Sequence, residues 1–262
     1  MPILLVLITF LFWYQTWFGR RLTDADMTRY LADTSMPHKT QHALTQLAER
    51  MARGDATARR WYPEVISLAE SKESGFRVMA AWVMGQDNQE PKFHAALLKL
   101  LNDVEPMVRR NAALALVRFG DASGRPELRA MLESFPLRAP QAGTIAFRLR
   151  EGDPVRSGTA VARIQAGEGE PADVVAPIPG RVERRAVADH ARVAAGDVVA
   201  IIAPGEDQVW EALRALYLIG GPDDLPAVEP FTRPTADVSA RLRQQAMLTA
   251  DAIRRRAADR IP

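Results

Sequence analysis

Ala139-Pro140-Gln141-Ala142-Gly143 and Ala176-Pro177-Ile178-Pro179-Gly180 are two copies of one half-motif, and the reading of the chain turns on them. The first copy continues with Gly152-Asp153-Pro154-Val155, Gly158, Val161 and Ile164. The second continues with Val193, Gly196-Asp197, Val199 and Ile202. The spacings from Pro to Gly, from Val to Gly and from Gly to Ile are the same in both copies. Short β-rich runs lie between, such as Thr144–Leu149 and Arg181–Glu183, punctuated by Gly and Pro. Such punctuation predicts a small all-β unit over residues 137–205. Neither half can bury its apolar face alone, whereas two interlocked halves can.

Outward from this unit, both flanks are helical. Upstream, the apolar spacing predicts helices over 24–33, 37–51 (Ala43, Leu44, Leu47 and Met51 on one face), 60–71, 75–85, 91–103, 105–119 and 125–134. Two stretches repeat one another. Val108-Arg109, Ala112-Ala113, Ala115-Leu116 and Phe119-Gly120-Asp121 match Phe76-Arg77, Ala80-Ala81 and Val83-Met84-Gly85. Small residues let paired helices approach closely, and the glycine is read as a left-handed helix exit. The pattern resembles HEAT repeats. The helix at 125–134 lacks a partner until Gln208–Gly220, where Ala212, Ala215, Leu216 and Gly220 keep the spacing of Ala112, Ala115, Leu116 and Gly120. The β unit therefore reads as an insertion between the two helices of one repeat, which requires its ends to lie close together. A short helix near 223–231 and a long one from Thr235 to about Asp259 complete the stack as a cap.

The tandem pattern in 137–205 resembles the biotinyl/lipoyl family, whose fold is a barrel-sandwich hybrid of two quasi-symmetric halves. Carriers of that family place an acceptor lysine on the hairpin between the halves. Here the hairpin, Gln165–Asp173, has none, and the last lysine of the chain is Lys99. An amide-linked cofactor needs an amine, so covalent biotin or lipoate is excluded. The resemblance then implies a structural or contact module, as in membrane-fusion adaptors.

Residues 2–18 carry no charge and approach the roughly 17–25 residues of a membrane-spanning helix. Leu4, Leu5 and Phe10 lie within the run. Trp13, Tyr14 and Trp17 gather at its end, as in an interfacial belt. No small-residue cleavage site follows, so an uncleaved anchor over 1–21 is expected, against the alternative of a buried N-terminal helix. Arg20, Arg21 and Arg29 flank its C-terminal side, which places the body of the chain in the cytoplasm, on the inner (cytoplasmic) membrane.

Net charge is +2 and arginine far outnumbers lysine. No basic and aromatic interleaving suggests nucleic acid. Without cysteine there is neither disulfide nor thiolate chemistry. His38 and His42 stand at i and i+4 but lack the glutamate and third ligand of a metal site. His94 and His190 stand alone. Nucleophile-elbow, P-loop and dinucleotide motifs are absent. Asp223-Asp224 reads as a helix cap. No catalytic residue, cofactor or metal is expected.

The expected fold is mainly α: a HEAT-like α-solenoid (22–136, completed by 206–262) with an inserted small all-β barrel-sandwich hybrid (137–205), plus one N-terminal transmembrane helix. Contact candidates are Arg59, Arg60, Trp61 and Tyr62, and the run Arg254, Arg255 and Arg256, which otherwise reads as a solvated helix face. Trp82 and Trp210 fall near repeat crossings, and most such aromatics belong to the core. The expected function is a non-enzymatic, membrane-anchored accessory subunit. Its partner would be an integral-membrane protein complex, plausibly one that converts energy in respiration or photosynthesis. The alternative is a membrane-fusion-type adaptor of an export system, against which the short inter-half turn speaks. An enzymatic role is disfavoured by the missing lysine and the absence of acid/base clusters.

Overall fold

The computed structural model describes residues 21–167, 169–235 and 238–259. The apolar run 2–18, with Leu4, Leu5, Phe10, Trp13, Tyr14 and Trp17, lies outside the described residues. Among the described residues no helix is long and apolar enough to cross a membrane. The chain divides into two compact units, one ending at Asp87 and the next beginning at Asn88.

The first unit holds α1 (Asp24–Ala32), α2 (Pro37–Ala52), α3 (Tyr62–Ala69) and α4 (Ser74–Met84). Thr23 caps α1, its Oγ1 accepting the Asp26 N–H at 3.1 Å. The helix expected from Arg60 is instead a 3-10 segment, Ala56–Trp61, that gives way to α3 at Tyr62. Pro63 is the cause: it has no N–H and its ring clashes with the carbonyl four residues back, so an α-helix cannot run through it. Leu44, Leu47, Trp61, Val65, Phe76 and Met84 are buried in this unit.

The second unit opens with α5 (Pro91–Leu100), α6 (Pro106–Arg118) and α7 (Arg125–Ala130). The helix repeat reappears here in its polar bonds. Arg77 Nη1 donates to the Ser71 and Lys72 carbonyls at 2.9 and 3.0 Å. Arg109 Nη1 donates to the Asp103 and Val104 carbonyls at 2.8 and 3.1 Å. In each copy the arginine of the second helix satisfies carbonyls left open in the turn before it. Gly120 takes the left-handed exit (φ +70). Gly220 does not: it stays at φ −62. Its reason is space, because a Cβ there would meet the Leu216 carbonyl oxygen at 2.4 Å and Ile253 Cδ1 at 2.9 Å. Gly85 stays in the right-handed helical region, at φ −65, whereas Gly220 is extended.

Eight strands follow: β1 (Phe135–Arg138), β2 (Gly143–Phe147), β3 (Pro154–Val155), β4 (Ala160–Gln165), β5 (Ala172–Val175), β6 (Gly180–Arg185), β7 (Arg192–Val193) and β8 (Val198–Pro204). They form two four-stranded antiparallel sheets, ordered β1-β8-β6-β3 and β5-β4-β2-β7. Advancing every strand of the first sheet by four, counted cyclically, gives the second. The module is thus two-fold quasi-symmetric, and each sheet takes strands from both sequence halves. The shared core holds the repeated positions as pairs: Ile145 and Val182, Val155 and Val193, Val161 and Val199, Ile164 and Ile202. The repeated glycines meet one constraint. A Cβ on Gly143 would lie 2.3 Å from the Gln165 carbonyl oxygen, and one on Gly180 would lie 2.1 Å from that of Ala203. Only glycine lets these strands approach so closely.

β1 pairs with β8, Phe135 opposite Ile202, so the chain enters and leaves the module side by side. This lets α7 pack on α8 (Glu206–Ile219). Leu128, Met131 and Leu132 share one core with Val209, Ala212, Leu213 and Leu216. Beyond α8 lie a 3-10 turn (Pro222–Asp224), α9 (Leu225–Val228), a second 3-10 turn (Glu229–Thr232) and α10 (Ala240–Ala258). α10 starts later than Thr235 because its cap is Ser239, whose Oγ accepts the Leu242 N–H at 3.2 Å and donates to Glu206 Oε1 at 2.7 Å. α7 ends sooner than expected: the Leu132 and Glu133 N–H groups bond the carbonyls three residues back, of Arg129 at 2.9 Å and Ala130 at 3.4 Å, so the last residues before β1 form a turn and not an α-helix.

Asp224 has no solvent exposure. Its carboxylate accepts from Arg125 Nε at 2.7 Å, Arg129 Nη1 at 2.8 Å and the Gly221 N–H at 2.8 Å. The expected cap is therefore also the ionic tie of α7 to the segment after α8. Asp224→Ala removes the partner of two half-buried arginines and should cost about 2–4 kcal/mol, read as a lowered midpoint in urea unfolding. A second prediction concerns His190, which is left-handed (φ +62) where the first half has Gly152 (φ +89). His190→Gly should raise stability by about 0.5–1 kcal/mol, since a β-carbon is disfavoured in that conformation. A fall in the midpoint would mean that the histidine makes contacts that outweigh the strain.

Candidate functional site

Trp61 and Tyr62, two of the four aromatic-patch candidates, are only 1% and 7% exposed. They are therefore core residues and not surface anchors. Trp61 Nε1–H donates to Thr28 Oγ1 at 2.9 Å. The guanidinium groups of Arg60 and Arg50 cover its ring at 4.2 and 5.2 Å. Both arginines also reach Asp24, Arg50 at 2.8 Å. The indole thus pins α1 and α2 to the 3-10 turn. Tyr62 donates its hydroxyl to Asp87 Oδ2 at 2.8 Å. Burial, reinforced by the Asp87 carboxylate, holds this phenol well above the usual tyrosine range. Arg59 and Arg60 remain exposed.

The C-terminal arginine run divides by task. Arg254 pairs with Glu229 at 2.9 Å and with Asp251 at 3.4 Å. Arg256 turns inward and donates to the carbonyls of Tyr217 at 2.7 Å, Gly220 at 3.1 Å and Leu216 at 3.2 Å. It closes the C-terminal end of α8, where unpaired carbonyls and the helix dipole favour a cation. Arg255 is exposed. A uniform basic face for lipid or an acidic partner is not what these three residues form.

At the tip of the β module the β4–β5 hairpin is braced by two glutamines, Gln165 of β4 and Gln141 of the β1–β2 connection. Gln165 Nε2 donates to the Gly167 and Gly169 carbonyls at 3.0 and 3.1 Å. Gln141 Nε2 donates to those of Ile164 and Glu170 at 3.2 and 3.1 Å. At the root, Arg110 is 2% exposed. Its Nη1 donates to Gln208 Oε1 at 2.7 Å, and Glu127 lies 3.5 Å from its Nε and 3.0 Å from Arg109 Nε. Burial pulls the Arg110 guanidinium below its usual range against the attraction of Glu127. Met107 of α6 packs on the β core. Gln208 stands at the start of α8, so this buried network joins helices on the two sides of the insertion. In the sequence Arg110 falls outside the repeated positions, next to Arg109, and nothing marked Gln208 as its partner.

Among the described residues no group of three or more His, Asp or Glu side chains could hold a metal ion. His42 bonds Gln46, Nε2 to Nε2, at 2.9 Å. His94 Nε2 lies 2.6 Å from Asp121 Oδ2, with its ring 5.3 Å from that of Phe119. Trp82 is 41% exposed, and Arg241 covers half-buried Trp210 at 4.0 Å.

A cleft of about 170 Å³ opens at the α1–α2 corner, lined by Arg29, Tyr30, Asp33, Met36 and Lys39. Arg29 and Lys39 lie over the Tyr30 ring at 4.9 and 5.3 Å. Arg29 Nη2 also bonds Asp26 Oδ1 at 2.6 Å and the Tyr30 hydroxyl at 3.2 Å. Sequence reasoning missed this cleft. Its residues share no motif and converge only because the chain turns between Asp33 and Pro37.

A family profile described as HEAT repeats matches residues 62–142, which run from α3 through α7 to the turn before β2. No curated protein matches the chain. Among solved structures, a single-chain, multi-domain long-chain acyl-CoA carboxylase is 24% identical over 49% of this chain, with a TM-score of 0.25. The matched chain is much longer, and the alignment covers 14% of it.

Asp121 supplies a pH prediction. Its carboxylate bonds Ser123 and faces His94, and these contacts hold its pKa below the ordinary 3.8. Its contribution is therefore complete above the unfolded value and disappears as pH falls through the lowered one. Asp121→Asn should be less stable than the parent near neutrality, and the difference should close as pH falls below the ordinary carboxylate value of 3.8. Urea midpoints across that range test it. A difference independent of pH would show that the charge of Asp121 plays no part.

Proposed function

We propose that this chain is a non-enzymatic, membrane-anchored scaffold subunit that binds and stabilises a larger integral-membrane complex. Residues 2–18 would hold it to the inner membrane with the body in the cytoplasm, and the client would be an energy-converting complex of respiration or photosynthesis. The observation that carries the reading is the β module without an acceptor amine, set by buried contacts into a helical repeat array. Repeat arrays present extended surfaces suited to protein contact. The biotinyl/lipoyl resemblance offers a module without its carrier chemistry, since the hairpin has no lysine. That leaves surface as the asset, on a module whose two flanking helices are tied to α6 by Arg110, Glu127 and Gln208. The export-adaptor alternative calls for a long helical hairpin between the halves, and the β4–β5 connection here is a short turn.

The test is a pull-down of the full chain through a C-terminal tag from gently solubilised native membranes, read by mass spectrometry. Stoichiometric integral-membrane subunits, haem- or pigment-bearing ones above all, are the expected outcome. Recovery as a monomer without membrane subunits, or with transporter and outer-membrane channel components, would overturn the reading.

A further inference from the structure

We propose that the outer face of α8 and α10 binds an amphipathic helix of a partner protein, whose acidic end meets Arg214 and Arg255. Four of the eight large apolar side chains exposed among the described residues lie on these two helices: Tyr217 (42%), Leu218 (61%), Met247 (52%) and Leu248 (50%). Both helices already have an inward face. α8 buries Val209, Ala212, Leu213 and Leu216, and α10 buries Leu242, Ala246, Ala250 and Ile253. The exposed leucines are a second apolar feature, and such features mark contact sites where they are contiguous.

Three contacts set the register of the two helices, which run parallel. At their starts the Arg241 guanidinium lies over the Trp210 ring at 4.0 Å. Midway, Thr249 Oγ1 donates to the Leu213 carbonyl at 2.9 Å. At their ends Arg256 Nη1 donates to the Tyr217 carbonyl at 2.7 Å. Arg214 follows Leu213 and Leu248 precedes Thr249, so these two exposed residues stand at one level. Leu218 follows Tyr217 and Arg255 precedes Arg256, so they share the next. Arg214 and Leu218 are an i, i+4 pair, and Leu248 and Arg255 an i, i+7 pair, so each pair shares a helix face. The result is a ladder. At each level an apolar or aromatic side chain on one helix stands beside a guanidinium on the other.

The charges choose the partner. Arg214 and Arg255 are exposed and form no hydrogen bond or ion pair among the described residues. Asp251, one turn before Arg255, bonds Arg254 at 3.4 Å. Toward the helix starts the face is acidic: Asp207 stands 3.9 Å from Arg241, and Glu211 lies in the field of Arg214. An anionic bilayer pressed on this face would meet Asp207 and Glu211. A helix can carry its acids at one end only, against Arg214 and Arg255, and lay its apolar stripe on Leu218 and Leu248. Tyrosine, tryptophan and arginine are also the residue types that most often anchor protein partners. The client's contact segment so acquires a chemistry, and only its place in a membrane complex rests on the scaffold reading above.

The test places the photo-cross-linker p-benzoylphenylalanine at Leu218 of the full chain, irradiates it in its native cells, and sequences the attached segment by mass spectrometry. The expected adduct is a segment of another protein with apolar residues at helical spacing and Asp or Glu clustered at one end. Arg214→Glu combined with Arg255→Glu should lower the adduct yield at least about tenfold with unchanged thermal unfolding. Arg255→Glu alone should lower it at least about threefold, which keeps the test decisive if the double variant misfolds. Arg150→Glu, at an exposed position of the β module, should leave the yield as it is. No protein adduct, or one to lipid, to a second copy of this chain or to a segment without acids, would overturn the site, as would charge reversal in a folded variant without loss of yield. The two readings fail separately. An acidic helix of a protein outside the membrane leaves the site standing and removes the membrane client. Membrane subunits recovered in the pull-down but never attached at Leu218 remove the site and leave that client.

Discussion

Asp224 sits without solvent contact between Arg125 and Arg129, and the Gly221 amide completes its shell. The chain between those arginines and that carboxylate leaves the helical array, builds eight strands and returns. Burying a carboxylate is costly unless its lone pairs are filled, and here three donors fill them. Around this tie the apolar faces of α7 and α8 close as if the strands were absent. The arrangement works because β1 and β8 are hydrogen-bonded neighbours, so the insertion leaves and enters through one narrow neck. The module can be large because its ends are together.

The module solves a different problem, that of closing small sheets without a helix to cover them. Each sheet borrows strands from both halves, so neither half folds a complete sheet by itself. The repeated apolar positions meet in one core, and the repeated glycines admit the tightest strand approaches. The symmetry is broken locally. His190 occupies a left-handed position that the other half gives to glycine, and Asp189 steadies that turn by accepting the Phe147 N–H at 2.9 Å. The hairpin that joins the halves is closed by glutamine side chains, a polar brace with no nucleophile.

Arginine does much of the structural bonding. Arg77 and Arg109 fill turn carbonyls, Arg256 fills helix-end carbonyls, and Arg50 and Arg60 cover Trp61 while reaching Asp24. A planar guanidinium with five donors suits such sites better than a lysine ammonium, which accords with the composition of the chain. It also explains why a count of surface arginines misleads. Of the candidates named from sequence, Arg256 is committed to α8 and Arg60 to Trp61 and Asp24.

The sequence by itself determined the elements and their repetition. Helical spacing around Ala80, Ala112 and Ala212, and the doubled Pro-x-x-Gly pattern at Pro140 and Pro177, are local signals that burial of one face makes nearly obligatory. It also determined a chemical exclusion, because a chain without lysine after Lys99 has no amine for that hairpin to offer. The tertiary structure alone decided which polar groups meet. Asp224 with Arg125, Arg110 with Gln208 and Trp61 with Thr28 are separated by 99, 98 and 33 residues, and no periodicity encodes such pairings. Whether an aromatic beside two arginines faces solvent or core was likewise undecidable from spacing. That depended on Pro63 breaking the helix and turning the indole inward.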